Sequence, residues 1–134
     1  MWLFTETGFV SAVQHRTDDN TLVVRARDRV SLLPFIKQYG VEVVTDQYTD
    51  YPYRVFLSKE DFAAWVTDSI KFLEYGNFKN QVAITRGKEF AHTLGSVWAT
   101  MLDVEDEEAR SRFQQADMAW ESAYANKGKA KVSK

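Results

Sequence analysis

The sequence predicts a small α+β protein in which helices cover one face of a small antiparallel sheet. Three observations lead to this class: two short strand-like runs flank a polar turn, a third run follows the turn at Asp50-Tyr51-Pro52, and amphipathic helical patterns fill most of the remaining chain. The predicted element order is β-β-α-β-α-α-α. Strands followed by a run of helices are typical of α+β proteins.

The first two strands form a predicted β-hairpin. Residues 9–13 and 21–27 are the strand-like runs, and residues 15–20 between them are rich in turn formers. Side chains alternate between the two faces of a strand. The residues of the second run that should face the core are Leu22, Val24 and Ala26. Arg25 and Arg27 are then expected together on the opposite face.

A short helix and an ambiguous segment follow the hairpin. Ser31 is the predicted N-cap of a helix over residues 32–39, and Pro34 falls in the first turn, where its missing N–H does little harm. Gly40 is placed to end this helix. Residues 41–44 fit either a short edge strand or a plain connection.

The next stretch joins the sheet to its main helix. Residues 53–57 are the predicted third strand, and Ser58 and Asp61 match a capping box at the start of the helix that follows. That helix carries an apolar stripe over residues 62–73. If the third strand returns beside the first, the strand order is 2-1-3, and the helices at 62–73 and 90–102 cover one face.

The chain after Leu102 changes in composition. We predict a core domain over residues 1–102, an amphipathic helix over 103–126 and a disordered basic tail over 127–134. Apolar residues recur along the helix at helical spacing, and these are Ala109, Phe113, Ala116, Trp120 and Tyr124. Such a stripe must be buried against its own chain, a second copy or a partner. Phe113, Trp120 and Tyr124 are the predicted interface residues.

Composition narrows the class of protein. The formal net charge of the 134 residues is −2, which disfavours nucleic acid as a partner, and the absence of cysteine excludes disulfides and cysteine metal sites. No apolar run approaches the roughly 20 residues of a membrane-spanning helix, so we expect no membrane association. The start of the chain lacks the basic segment of a signal peptide, so a cytoplasmic location is expected.

Several short motifs, in their order along the chain, carry a resemblance. These are Gly8-Phe9-Val10-Ser11-Ala12-Val13-Gln14, Arg25-Ala26-Arg27, Asp50-Tyr51-Pro52-Tyr53-Arg54 and Tyr75-Gly76-Asn77-Phe78-Lys79. Over residues 1–102 the chain resembles a group of short bacterial and actinophage proteins that begin Met-Trp-(Ile/Leu)-Phe-Thr and have no established activity. The resemblance implies a bacterial or phage setting and no chemistry. This chain departs from it at Val10 and Ala12, where Phe and Val are expected, and in its helix after Leu102.

The strongest candidate site is a cationic and aromatic set of residues. Its members are Arg25, Arg27, Tyr51, Arg54, Tyr75, Asn77 and Lys79. Arginines on neighbouring strands can form a planar anion site, to which tyrosine hydroxyls and an amide add directional bonds. A phosphate, nucleotide or carboxylate ligand would suit such a site. The alternative is that the arginines are solvated, or pair with Asp50, Glu42 or Glu74. The tyrosine rings would then pack against the protein while their hydroxyls contact water.

Catalytic and metal-binding signals are weak. His92 lies off the apolar stripe of its helix and could act as a general base, but no nucleophile or carboxylate stands near it in the sequence. His15 falls in the hairpin turn. Residues 105–108 are acidic but lack the ligand spacing of a calcium loop, and no nucleotide-loop or hydrolase motif occurs. We therefore assign no catalytic residue, metal or cofactor, and we favour a protein that is not an enzyme.

Three functions follow from these features, in order of preference. The first is a small accessory protein that binds another macromolecule, with a homodimer through the last helix as one form. The second is a nucleotide- or phosphate-binding protein that uses the cationic and aromatic set. The third is a metal-independent enzyme with His92 as its base.

Overall fold

The computed structural model describes residues 1–129, and it describes the side chains of these residues except Phe113 and residues 124–129. The strands are β1 (Trp2–Thr5), β2 (Gly8–Gln14), β3 (Thr21–Ala26), β4 (Val44–Thr45) and β5 (Tyr53–Ser58). The helices are α1 (Leu33–Tyr39), α2 (Lys59–Lys71), α3 (Phe78–Arg86), α4 (Lys88–Met101) and α5 (Glu107–Lys129). The α+β class is confirmed.

All neighbouring strands of the sheet are antiparallel, in the order β1-β2-β3-β5-β4. The predicted order 2-1-3 is wrong, because β5 pairs with β3 and not with β2. The reason is β1, a strand that the sequence does not predict. A two-residue turn joins β1 to β2, so β1 occupies the side of β2 that was assigned to the third strand. β4 lies at the end of the ambiguous segment 41–44.

The core lies between one face of the sheet and two helices. Val24 and Ala26 are fully buried in it, as the alternation in the second strand predicts, and Leu22 is partly buried against it. Val55 of β5 is also fully buried. The helical side is aromatic, with the ring centroids of Phe35 and Trp65 4.5 Å apart. The core residues of the helices come from the segment 32–35 and from α2, whereas the sequence pattern predicts that the helices at 62–73 and 90–102 cover the sheet.

Helix α2 begins as predicted. The Oγ of Ser58 accepts a hydrogen bond from the N–H of Asp61 at 3.0 Å, which satisfies a donor that the helix itself leaves unpaired. Phe62 and Trp65 are buried in the core, but Ile70 further along the stripe is exposed. The apolar stripe is therefore only partly buried.

Ser31 does not cap α1, so this prediction is wrong. The chain first forms a 3₁₀ turn (Val30–Leu32), α1 starts at Leu33, and no side chain caps it. The hydroxyl of Ser31 does not cap the helix because it bonds elsewhere. It donates to the carboxylate of Asp28 at 2.5 Å and accepts from the N–H of Phe9 at 3.2 Å. Gly40 ends α1 in the left-handed conformation, with φ 64°, as predicted.

The contacts within the chain define two units, one over Met1–Leu94 and one that begins at Gly95. In the second unit a 3₁₀ turn (Leu102–Val104) precedes α5, and Asp106 accepts a hydrogen bond from the N–H of Ala109 at 2.7 Å. Helix α5 runs to Lys129, three residues into the predicted tail, and residues 130–134 lie outside the described residues. None of the helices in residues 1–129 has the length and apolarity needed to cross a membrane.

Candidate functional site

One face of the sheet lies opposite the helical core and carries the candidate site. We call it the open face. Its residues share a side with Ser11 and Arg25 by strand register, and four apolar members are exposed to solvent: Trp2, Val13, Val44 and Phe56. A polar ligand can therefore reach this face without displacing a helix of the core.

Arg25 and Arg54 lie directly opposite each other on β3 and β5. Side chains in such positions project from the same face with their Cβ atoms about 5 Å apart. The Nη2 of Arg25 donates to the Oγ of Ser11, its partner on β2, at 2.8 Å. The Nε of Arg54 donates to the carbonyl oxygen of Tyr51 at 3.4 Å. The two strands thus bring two positive charges together on the open face.

Tyr51 lies where these arginines and Arg27 meet. The guanidinium carbon of Arg25 is 4.7 Å from the centroid of the Tyr51 ring, and that of Arg27 is 4.9 Å from it. Both lie within the range of a cation–π interaction. Tyr51 is only 4% exposed, because the loop before β5 folds its ring against the sheet. We call Arg25, Arg27, Tyr51 and Arg54 the arginine patch.

The patch holds three positive charges without a carboxylate partner in the part of the chain that the structure describes. The ion pairs described there are Asp28–Arg86 and Asp103–Arg110. Arg27 does bond to Asp50, but it donates to the backbone carbonyl, at 3.1 Å, and not to the carboxylate. Of the alternatives open in the sequence, pairing with Asp50, Glu42 or Glu74 is therefore not what the structure contains.

One nitrogen of the patch also lacks an acceptor. The Nε of Arg25 is buried, and no hydrogen-bond acceptor within residues 1–129 reaches it. Burying a donor of a charged group without an acceptor costs free energy. The patch is therefore short of both negative charge and acceptor atoms.

The other three predicted site residues lie in the segment between α2 and α3. Tyr75 packs against Phe78, with ring centroids 6.1 Å apart, and it lines a groove with the β1 residue Phe4. The side chain of Asn77 caps α3 by accepting from the N–H of Asn80 at 3.0 Å. Lys79 is exposed in the first turn of α3. The structure thus brings Arg25, Arg27, Tyr51 and Arg54 together and gives Tyr75 and Asn77 other neighbours.

A partly buried ionic network, which the sequence does not predict, lies near the start of β2. Arg86 pairs with Asp28 and donates to the carbonyl oxygen of Thr7 at 2.8 Å and to the Oγ of Ser31 at 3.2 Å. Burial raises the pKa of the Asp28 carboxyl, but hydrogen bonds from Ser31 and Arg86 outweigh it and hold this pKa below its usual value. The one sequence feature that indicates part of this network is Asp28, which lies three residues before Ser31 in a turn.

The network contributes to structure, because each of its polar groups already has a partner. Arg86 is only 10% exposed, and its guanidinium carbon lies 4.0 Å from the centroid of the Phe90 ring. A ligand would have to break these contacts to bind there. The open face is therefore the better candidate site.

The two histidines and a metal site are the remaining candidates for chemistry. The Nδ1 of His15 accepts from the N–H groups of Thr17 and Asp18, both at 3.2 Å, so this histidine shapes the hairpin turn. His92 is exposed on α4. Across residues 1–129, no group of three or more His, Asp or Glu side chains is arranged to hold a metal ion.

The predicted interface lies on α5. Trp120 is 64% exposed there, and the side chains of Phe113 and Tyr124 lie outside the described residues. In the first unit, a separate apolar groove of about 370 Å³ runs between the β1–β2 turn and the end of α2.

Comparison of the chain with protein-family models, with curated proteins and with solved structures gives no match in any of the three. The resemblance to short bacterial and actinophage proteins stays a prediction.

Proposed function

We propose that this protein binds a phosphate-bearing ligand at the arginine patch. The observation that carries the proposal is the placement of Arg25 directly opposite Arg54, with no carboxylate in contact with either in residues 1–129. Like charges in opposed positions of a sheet repel each other. A bound oxyanion would offset that repulsion, because it attracts both guanidiniums.

The chemistry of the patch favours phosphate over a carboxylate. Guanidinium groups present planar sets of N–H donors that match the oxygens of phosphate, and each such charge-assisted bond is stronger than a neutral one. Arg25, Arg27 and Arg54 together offer three positive charges, more than one carboxylate can balance. The Tyr51 ring supports two of the three guanidiniums, so less side-chain freedom is lost on binding.

Thermal unfolding with pyrophosphate tests the proposal. At constant ionic strength, millimolar pyrophosphate should raise the Tm of the wild-type protein and of Arg112→Gln, a control on α5 that removes the same charge. The rise should be absent in Arg25→Gln and Arg54→Gln. An equal rise in all four proteins would mean a general salt effect, and no rise in the wild-type protein would remove the proposal.

A second candidate function is self-association through α5. It is favoured by the exposure of Met118 (70%) and Trp120 (64%) on this helix, which is where the sequence stripe predicts an interface. Light scattering on the full chain, on Trp120→Ala and on a chain truncated after Leu102 tests it. A dimer confined to the full chain with Trp120 intact supports this function, and a monomer in all three proteins excludes it.

A further inference from the structure

The arginine patch continues into an aromatic surface on the same face of the sheet. Strand register places Trp2, Ser11, Arg25, Arg54 and Val44 in one row that crosses all five strands of the described sheet. Residues paired in this way project from the same side. The row therefore has a large aromatic ring at one end and two opposed arginines near the other.

Trp2 is held in place while most of its surface stays open to solvent. Its ring packs edge to face against Phe9, with centroids 5.7 Å apart and planes at 85°. The Phe9 ring is stacked in turn on Phe4 at 4.5 Å. Even so, Trp2 is 68% exposed. A fixed and exposed indole can accept a flat ring without losing much freedom of its own.

The aromatic surface and the patch are also linked through side chains. Ser11 pairs with Trp2 in the sheet and accepts a hydrogen bond from Arg25 at 2.8 Å. Phe9 lies 6.3 Å from the Tyr51 ring, measured between centroids. Adjacent strands are about 4.8 Å apart, so Trp2 on β1 and Arg25 on β3 lie about 10 Å apart along the row. A ligand that carries a flat ring at one end and an anionic group at the other can contact both.

We infer that the ligand of the arginine patch is a nucleoside phosphate whose base stacks on Trp2. A nucleotide joins a flat aromatic base to a phosphate through the ribose, which matches the order of Trp2 and the arginines in the row. Stacking of bases on exposed aromatic side chains, beside arginines that bind phosphate, is a general mode of nucleotide recognition on sheets. This inference rests on the proposed function.

Paired ligands separate the contribution of the base from that of the phosphate. Calorimetry should show that AMP binds the wild-type protein more tightly than ribose 5-phosphate, on the order of tenfold for one stacked base. Trp2→Ala should reduce AMP affinity to that of ribose 5-phosphate and leave ribose 5-phosphate itself unchanged. Trp98→Ala, which removes another exposed tryptophan, on α4, should leave both affinities unchanged. Circular dichroism and the Tm verify that Trp2→Ala is folded.

The outcomes distinguish a failure of this inference from a failure of the proposed function. Equal affinities for AMP and ribose 5-phosphate, unchanged in Trp2→Ala, overturn the stacking of a base and leave phosphate binding intact. No binding of AMP, ribose 5-phosphate or pyrophosphate overturns both.

The same nucleotide chemistry could come from a free nucleotide or from a single strand of nucleic acid. An oligoadenylate of about ten nucleotides distinguishes these sources. Much tighter and strongly salt-dependent binding of the oligomer identifies the strand, and binding no tighter than that of AMP identifies the mononucleotide. With either result, the affinity must fall in Trp2→Ala for the inference to stand.

Discussion

Arg25 and Arg54 lie opposite each other across the β3–β5 ladder, and neither contacts a carboxylate within residues 1–129. Without ligand, this pair should destabilise the sheet by several tenths of a kcal/mol, because like charges in opposed positions repel. Salt screens that repulsion. The free energy of unfolding of the wild-type protein should therefore rise with sodium chloride more than that of Arg54→Gln.

Denaturant unfolding at low and high chloride measures this difference. Arg112→Gln serves as the control, because it removes a positive charge from α5 and should leave the salt dependence as in the wild-type protein. An equal salt dependence for Arg54→Gln and the wild-type protein would mean that the two guanidiniums do not repel each other measurably.

The Tyr51 ring should be the main structural support of the patch. Tyr51→Ala should lower the free energy of unfolding by about 3 kcal/mol, since it removes a buried aromatic ring. Tyr51→Phe keeps the ring under both guanidiniums and should cost less than about 1 kcal/mol. Tyr48→Ala in the same loop is the control, because Tyr48 is 99% exposed. Equal losses for Tyr51→Ala and Tyr48→Ala in urea unfolding would contradict this role.

Gly8 should accept no side chain. Its φ of 151° is strained for other residues, and a Cβ atom there would lie 2.2 Å from the Oγ of Ser31 and 2.7 Å from Nη1 of Arg86. We expect Gly8→Ala to lower the free energy of unfolding by about 1–3 kcal/mol through overpacking. Gly76→Ala, where a Cβ meets nothing within 4 Å, should be tolerated. Similar melting temperatures for the two variants would show that this corner of the fold is not tightly packed.

Asp28 should make the stability of the folded protein depend on pH. Its folded-state pKa lies below the usual 3.8, so the carboxylate contributes stability above that value, and this stability is lost as the pH falls through the folded-state pKa. The difference in Tm between the wild-type protein and Asp28→Asn should thus be largest near neutral pH and shrink below about pH 3.8. Asp68→Asn, at an exposed position on α2, is the matched control for the removal of one carboxylate. A difference that stays constant from pH 7 to pH 2 would exclude this contribution.

Strand alternation predicts the arginine pair on the open face, but not what lies beneath it. The alternation alone places Arg25 away from the core and Arg54 away from the side of Tyr53. The position of the Tyr51 ring depends on how the loop before β5 folds back, and no local pattern determines that. The same limit applies to Tyr75, which lines a groove with the distant β1 residue Phe4. The role of Asn77 is local, because its side chain caps α3.

The strand order shows a different limit of the sequence. Residues 2–5 are too few for a periodic signal, so the sequence does not predict β1 and predicts the wrong neighbour for β2 as a result. The sequence predicts the ends of helices better where these depend on one or two residues that are close in the chain. Ser58 caps α2 and Gly40 ends α1 as predicted, whereas Ser31 is diverted by Asp28 and Arg86, and Arg86 is distant in sequence.

The contacts of Arg86 also bear on the order in which the protein folds. Strands β1, β2 and β3 pair with their sequence neighbours, but Arg86 reaches back 58 residues to Asp28 and 79 residues to Thr7. Closing such long loops costs entropy before any contact repays it, so these bonds should form after the folding barrier has been crossed. Substituting Arg86 should accordingly speed unfolding and leave the refolding rate almost unchanged. The network would then slow unfolding and so set the lifetime of the folded state.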